Sequence, residues 1–280
     1  GYSGNVTTVP RPVHYSKVML KVPDTDMYAS RIVRSKPYFD KYKGMYCWKR
    51  FAIVKATSAE ALQRGDTVTE TQGANKLTEF REKQAEFQGL SFTTISSTGP
   101  NGAIIHYSPP EEGSPAIDRD ALYLCDSGAH FPFGTTDVTR TLHFGTPTAE
   151  QRRCFTRVLQ GNIAIDRLIF PYNTTGYVID ALARAPGWRD HLEYRHGTGH
   201  GVGHYLNVHE PPMGIGTRAV FNETGLQAGM VLSNEPGYYL DGHWGIRIEN
   251  LVIVRPHTLP DGVSEPPTSK GFLRFEHITL

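Results

Sequence analysis

Apolar residues between Thr71 and Gln88 recur at helical spacing, at Leu77, Phe80 and Phe87, which predicts a helix. Leu90–Ser96 and Ala103–Tyr107 read as strands separated by the turn Thr98-Gly99-Pro100-Asn101-Gly102, and the second of them carries His106. The polar stretch Pro109–Asp120 is a surface loop by the same reading. An apolar run then covers Ala121–Cys125, and β-branched alternation covers Gly134–Leu142, so a hairpin is expected around Phe131-Pro132-Phe133-Gly134. Thr148-Ala149-Glu150-Gln151 is a capping box that should start a long helix through Phe170, ended by Pro171, and another helix is expected over Thr174–Ala185. Gly229–Asn234 and Gly245–Val254 complete the strand patterns. With no alternating βαβ series, this order predicts an α+β fold with a curved, largely antiparallel sheet covered by helices on one face. Residues 1–65 stand apart as an N-terminal segment without an assigned role, with a helix expected near Trp48–Arg64.

Acids break these apolar patterns at four places. Asp126 ends the Ala121–Cys125 run, Asp137 lies in the alternating strand after it, Glu235 follows Asn234, and Glu249 interrupts Gly245–Val254. Each alone reads as a turn former, a cap or an exposed cross-strand charge. As a set they are different, because buried unpaired carboxylates are costly and clustered ones repel unless cations lie among them. Residues 196–212 add four histidines among four glycines, His200 included, with Val202, Leu206 and Val208 interleaved. Imidazoles there can ligate metal or move protons near neutral pH. Together Asp126, Asp137, His200, Glu235 and Glu249 read as one site for two divalent metal ions.

Charge and composition exclude some partners. With 29 Lys and Arg against 28 Asp and Glu, a net +1 gives no global field toward nucleic acid or an anionic membrane. No apolar run reaches the length of a membrane span, and Gly1-Tyr2-Ser3-Gly4 lacks the basic-then-apolar plan of a signal peptide. Cys47, Cys125 and Cys154 are odd in number, widely spaced and without a CxxC pair, which suggests reduced thiols and a cytoplasmic setting.

The motifs FTTISSTGPNGAIIHYSP, DSGAHFPFGTTDVTRTLHFGTPT, HGTGHGVG, LNVHE, NEPGYY and GIRIEN, in this order from about Thr67 onward, resemble the creatinase/methionine-aminopeptidase superfamily of pita-bread metallopeptidases. Within it the motifs are most similar to those of the Xaa-Pro aminopeptidases (aminopeptidase P). That resemblance implies that residues 66–280 form a dinuclear-metal catalytic domain with the pita-bread fold. It further implies that Asp126 binds the first metal, Asp137 and Glu249 bridge both, and His200 and Glu235 bind the second. His106, His196 and His209 then correspond to histidines that hold substrate and stabilise the reacting carbonyl, with Arg247 and Tyr239 hydrogen-bonding near the metals. Glu235, His106 and His209 are the expected catalytic groups, Glu235 moving the proton from the activated water to the leaving nitrogen.

An oxygen-rich donor set suits Mn²⁺, with Zn²⁺ or Co²⁺ as alternatives. The expected partners are peptides with proline at the second position, neither nucleic acid nor membrane, and a homodimer stays open. A prolidase shares the ligand set and is the nearest alternative, and a methionine aminopeptidase shares it too. A catalytically dead pita-bread binding module is the rival from a different class, and such relatives have usually lost ligands that this chain retains.

Overall fold

The computed structural model describes residues 64–219, 223–264, 266 and 270–279, with the short stretches 20–21, 28–29 and 61–62. The helix expected near Trp48–Arg64 lies almost wholly outside the described residues. Two-residue strands β1 (Leu20–Lys21) and β2 (Tyr28–Ala29) pair antiparallel.

Helix α1 (Glu70–Glu82) starts at Thr69, whose hydroxyl accepts from the Gln72 N–H while the Gln72 side chain returns to the Thr69 N–H. It is shorter than the expected Thr71–Gln88. After it the chain leaves the helix, with Glu86 at φ +67°, so that Phe87 meets the Phe131 ring at 6.2 Å. The expected strand Leu90–Ser96 is two strands, β3 (Gly89–Leu90) and β4 (Ile95–Thr98), belonging to different sheets. Ser91 makes the crossing, its N–H bonded to the Gly128 carbonyl and its hydroxyl to that of Thr136.

No strand forms at Ala103–Tyr107. Gly99–Ala103 is a 3₁₀ helix with Pro100 in its first turn, and the backbone then closes turn bonds from Ile104 to Asn101 and from Tyr107 to Ile104. The Tyr107 hydroxyl donates at 2.6 Å to the buried Glu70 carboxylate, which also accepts from the Thr98 N–H at 2.6 Å. Holding that carboxylate draws the segment away from any ladder, leaving His106 exposed on a turn.

The expected hairpin is present. β5 (Leu122–Ser127) pairs antiparallel with β8 (Val138–His143), with the small pair β6 (Ala129–Phe131) and β7 (Gly134–Thr135) at the turn. Asp126 opposes Thr139, not Asp137, so the two acids are diagonal and not directly opposite. Asp137 sits in the break between β7 and β8, yet shares the face of Thr139 because side chains alternate across a strand.

Helix α2 (Ala149–Asp166) uses the expected capping box, Thr148 with Gln151. It ends before Phe170: Ile169–Pro171 is β9, paired with β16 (Phe272–His277), because Phe170 gains more by packing on Phe275, with ring centres 5.0 Å apart, than from another helical turn. Helix α3 covers Gly176–Trp188. Two-stranded β10 (Gly199–His200) and β11 (Gly214–Ile215) follow, then β12 (Val231–Asn234) and β13 (Gly237–Leu240). The single strand expected over Gly245–Val254 is again two, β14 (Trp244–Arg247) and β15 (Asn250–His257), and Glu249 stands at the step between them.

Every strand pairing among the described residues is antiparallel. The sheets of more than two strands are β12-β15-β16-β9, β4-β5-β8 and the short-stranded β3-β6-β7, and the helices pack on the first two. Against the first, α2 and α3 bury Ile165, Ile179 and Ala183 on Leu232, Val252 and Phe275. Against the second, α1 buries Leu77 on Tyr123, Cys125 and Leu142. Leu122, on the opposite face of β5, joins Phe155 and Val158 of α2 and Ile246 of β14. The architecture is therefore α+β, antiparallel as expected, with its strands divided among several short sheets. Among the described residues no helix is long and apolar enough to cross a membrane.

The α2–α3 crossing depends on Gly161. A Cβ there would lie 2.1 Å from the Ala183 carbonyl oxygen, which is backbone and cannot step aside. Gly161→Ala gains up to about 1 kcal/mol of helix propensity but costs roughly 1–3 kcal/mol of overpacking. Net destabilisation is expected in a thermal melt, and a raised melting temperature would contradict this crossing.

Candidate metal centre

Alternation on β5 aims Asp126 toward β14. Tyr123 and Cys125 point to α1, and Ser127 on that same face meets Arg81 at 2.9 Å. Asp126 points the other way and meets the Arg247 guanidinium at 2.8 Å. Only its Oδ2 is engaged: Asp126 Oδ1 is buried without a hydrogen-bond partner. Asp137, His200 and Glu249 come together from three places in the chain, each offering a ligand atom within 4.8 Å of the other two. Glu235 joins them through His200, whose Nε2 lies 3.2 Å from Glu235 and 3.4 Å from Asp137.

The approach of His200 to Glu235 rests on a glycine. A Cβ on Gly199 would sit 2.0 Å from the Ser233 carbonyl, so only glycine lets β10 lie this close to β12. Ser233 then serves both neighbours, its hydroxyl accepting from the His200 N–H at 3.0 Å and donating to Glu235 at 2.9 Å.

Burial and mutual repulsion among the acids dominate the electrostatics of the cluster. Burial pushes Asp137 up, helped by the negative charges of Asp126 and Glu235, to about 7. Burial and the charges of Asp137, Asp126 and Glu235 push Glu249 well above the usual carboxylate range. Asp126 is also raised, by burial, although Arg247 opposes the effect. Burial acts on Glu235 in the same sense, but the hydrogen bond and charge of His200 outweigh it and hold Glu235 at about 2. Burial would lower His200, yet its bonds with Asp137 and Glu235 raise it well above its ordinary value. The orphaned Asp126 Oδ1, the converging oxygens and the His200 Nδ1 bond to the Gly201 carbonyl at 3.0 Å, which leaves Nε2 free to ligate, all fit divalent metal.

Around this cluster, Arg247 also donates to the Tyr239 hydroxyl at 2.9 Å and to Thr139 at 3.0 Å. With that oxygen accepting from Arg247, the Tyr239 proton goes to His196 Nε2 at 2.8 Å, and His196 Nδ1 donates to the Gly197 carbonyl at 2.7 Å. Burial lowers His196, in keeping with this neutral tautomer. The His209 ring lies 4.2 Å from His200. His106 is exposed on its turn. A cleft of about 720 Å³ opens beside the cluster, lined by His196, His200 and His209 and by the segment Glu210–Arg218.

The pattern of the sequence did not single out Thr139, whose hydroxyl donates to Glu249 at 2.7 Å, or Asn162, whose amide bonds the Asn234 and Ile248 carbonyls beside two of the acids. The one available signal for Asn162 was an amide on the apolar face of α2, where it is 2% exposed.

A family model described as metallopeptidase family M24 matches residues 49–256. The chain belongs to metallopeptidase family M24. Among curated M24 relatives, a probable Xaa-Pro aminopeptidase P of Coprinopsis cinerea is 61% identical over 221 residues, covering 79% of this chain and 35% of its own. A counterpart from Arthroderma gypseum is 47% identical over 280 residues, covering 100% of this chain and 42% of the relative. The chain therefore spans well under half the length of these relatives. Among solved structures, the X-prolyl aminopeptidase of Caenorhabditis elegans, described as a cytosolic enzyme with a di-nuclear active site, superposes with a TM-score of 0.77 at 38% identity. The match covers 85% of this chain and 38% of that one. A prolidase from Pyrococcus furiosus gives a TM-score of 0.66 at 26% identity over 89% of this chain and 66% of its own. These neighbours share the pita-bread fold of the family, which is the fold of this chain.

Proposed function

We propose that residues 66–280 form the catalytic domain of a metal-dependent aminopeptidase that releases the N-terminal residue from peptides whose second residue is proline. The observation that carries this reading is the convergence of Asp137, His200 and Glu249 on one point, with Asp126 and Glu235 beside them. Asp126 would hold one divalent ion, His200 and Glu235 a second, and Asp137 and Glu249 both. When bound, such a pair supplies Lewis acidity and a strong nucleophile from water near neutral pH. The donor set is hard and oxygen-rich, so Mn²⁺ is our preferred ion, with Zn²⁺ and Co²⁺ acceptable.

The remaining roles belong to the chain itself. Glu235 would take a proton from the water and pass it to the leaving nitrogen. His209, whose ring abuts His200, would donate to the developing oxyanion, with His106 as the second donor. His196, fixed by Tyr239, presents a ring face and leaves the acids of the cluster for the substrate's α-amino group. The open cleft gives peptide beyond the proline a place to lie, which favours an aminopeptidase over a strict dipeptidase. The Caenorhabditis elegans neighbour is described as cytosolic, and Cys125 and Cys154 are free and buried, so we place the reaction in the cytoplasm.

A Xaa-Pro bond has no N–H, so its pocket must fit the ring in place of a donor. Exchanging proline for alanine in Xaa-Pro-Xaa is expected to lower kcat/KM by roughly 10–200-fold, and N-terminal acetylation should abolish cleavage. Assays of the full-length protein loaded with Mn²⁺ check both. Equal cleavage of Xaa-Ala peptides would refute the reading, and cleavage of dipeptides alone would turn it to prolidase.

A further inference from the structure

The loop that carries His196 and His200 contains little that could hold its own shape, being rich in glycine. Its geometry comes from α3. Asp180 and Arg184 lie four residues apart on one face of that helix, 3% and 4% exposed, with Arg184 Nε 2.6 Å from Asp180 Oδ2. Arg184 has donors left over and aims them at the loop. Nη1 donates to the Tyr194 carbonyl and Nη2 to the His196 carbonyl, each at 2.7 Å, while the guanidinium lies 4.0 Å from the centre of the Tyr194 ring.

Asp180 holds the next alternate residue. Its Oδ1 accepts from the Thr198 hydroxyl at 2.6 Å, and Thr198 in turn accepts from the Tyr194 hydroxyl at 2.6 Å. The Thr198 carbonyl receives the Glu235 N–H at 2.7 Å. Residues 194, 196 and 198 are therefore gripped by one ion pair, and the backbone of Glu235 is tied to the last of them.

As a source of stability this arrangement is poor, since burying two charges costs about as much as their attraction returns, and well-packed apolar residues often do as well. It is good at excluding other conformations. Alternative placements of the loop would leave a buried guanidinium or carboxylate short of partners. We propose that the Asp180–Arg184 pair, acting through Thr198, is a positioning device that sets His196 against Tyr239 and sets His200 and Glu235 at the spacing one metal ion requires. This rests on the reading of His200 and Glu235 as ligands. It assigns Asp180, Arg184 and Thr198 no contact with substrate or metal.

The test uses Arg184→Lys, which keeps the charge but cannot span both carbonyls, together with Thr198→Val and Thr198→Ser. The valine variant removes the hydroxyl at nearly constant shape, and the serine variant retains it. Imidazole NMR signals of the metal-free chain report His196 and His200 directly, with His130, His143 and His277 as controls. Arg184→Lys and Thr198→Val are expected to shift or broaden the first two signals and leave the controls. They should also weaken the second Mn²⁺ by about 10–100-fold and lower kcat more than they raise KM, while Thr198→Ser restores all three. Should Arg184→Lys fail to fold, the Thr198 pair decides. Unchanged His196 and His200 signals in folded Thr198→Val would overturn the proposal. Because these signals are read without metal, a wild-type chain that bound only one ion would count against the dinuclear site and leave the positioning role to be judged on the NMR alone.

Discussion

Asp137→Ala should lose both divalent ions together and, with them, more than about 100-fold in turnover. Outer partners of a metal site already cost 10–100-fold when changed, and a shared ligand should cost more. The expectation comes from placement: Asp137 stands in the break between β7 and β8, within reach of both His200 and Glu249, and the charge of Asp126 acts on it. Elemental analysis after dialysis against micromolar Mn²⁺ reads the result. Retention of one full equivalent would show that Asp137 serves a single ion, and retention of two that it serves none. The fold should survive, because removing one of four crowded acids relieves repulsion.

Glu235→Gln is the second large effect. The variant keeps the shape of the side chain and an oxygen for the metal, but gives up the carboxylate that would carry the proton. A fall in kcat of about 10²–10⁴ is expected, with a smaller change in KM. Its neighbours Ser233 and His200 can still bond an amide, so the loop should hold. The measurement is steady-state kinetics on a variant shown to bind metal as wild type does. Turnover within a few-fold of wild type in such a preparation would remove Glu235 from proton transfer.

What the sequence showed about this chain follows a physical line. The acids stood out because a carboxylate inside an apolar strand contradicts its surroundings, and the structure brings all four acids to the same region as His200. The capping box at Thr148 was legible because its two hydrogen bonds are local. The breaks were not. The strand pattern reads on from Gly245 to Val254 with only Glu249 marked against it, but β14 pairs with β13 and β15 with β12, and the step at Ile248-Glu249 is imposed by those distant partners. The end of α2 was hidden in the same way, since Phe170 answers to Phe275 more than a hundred residues later. His106 was read on a strand because the pull of Tyr107 toward Glu70 has no local signature. The supporting residues Thr139, Asn162, Asp180, Arg184 and Thr198 share that difficulty: each is an ordinary polar side chain until its partner across the fold is known.

The most direct test of the dinuclear site is anomalous diffraction from crystals of the protein grown with Mn²⁺. Two peaks about 3.5–4 Å apart are expected, with carboxylate oxygens of Asp137 and Glu249 between them, Asp126 on one and His200 with Glu235 on the other. A single peak, or two peaks without a shared carboxylate, would contradict it.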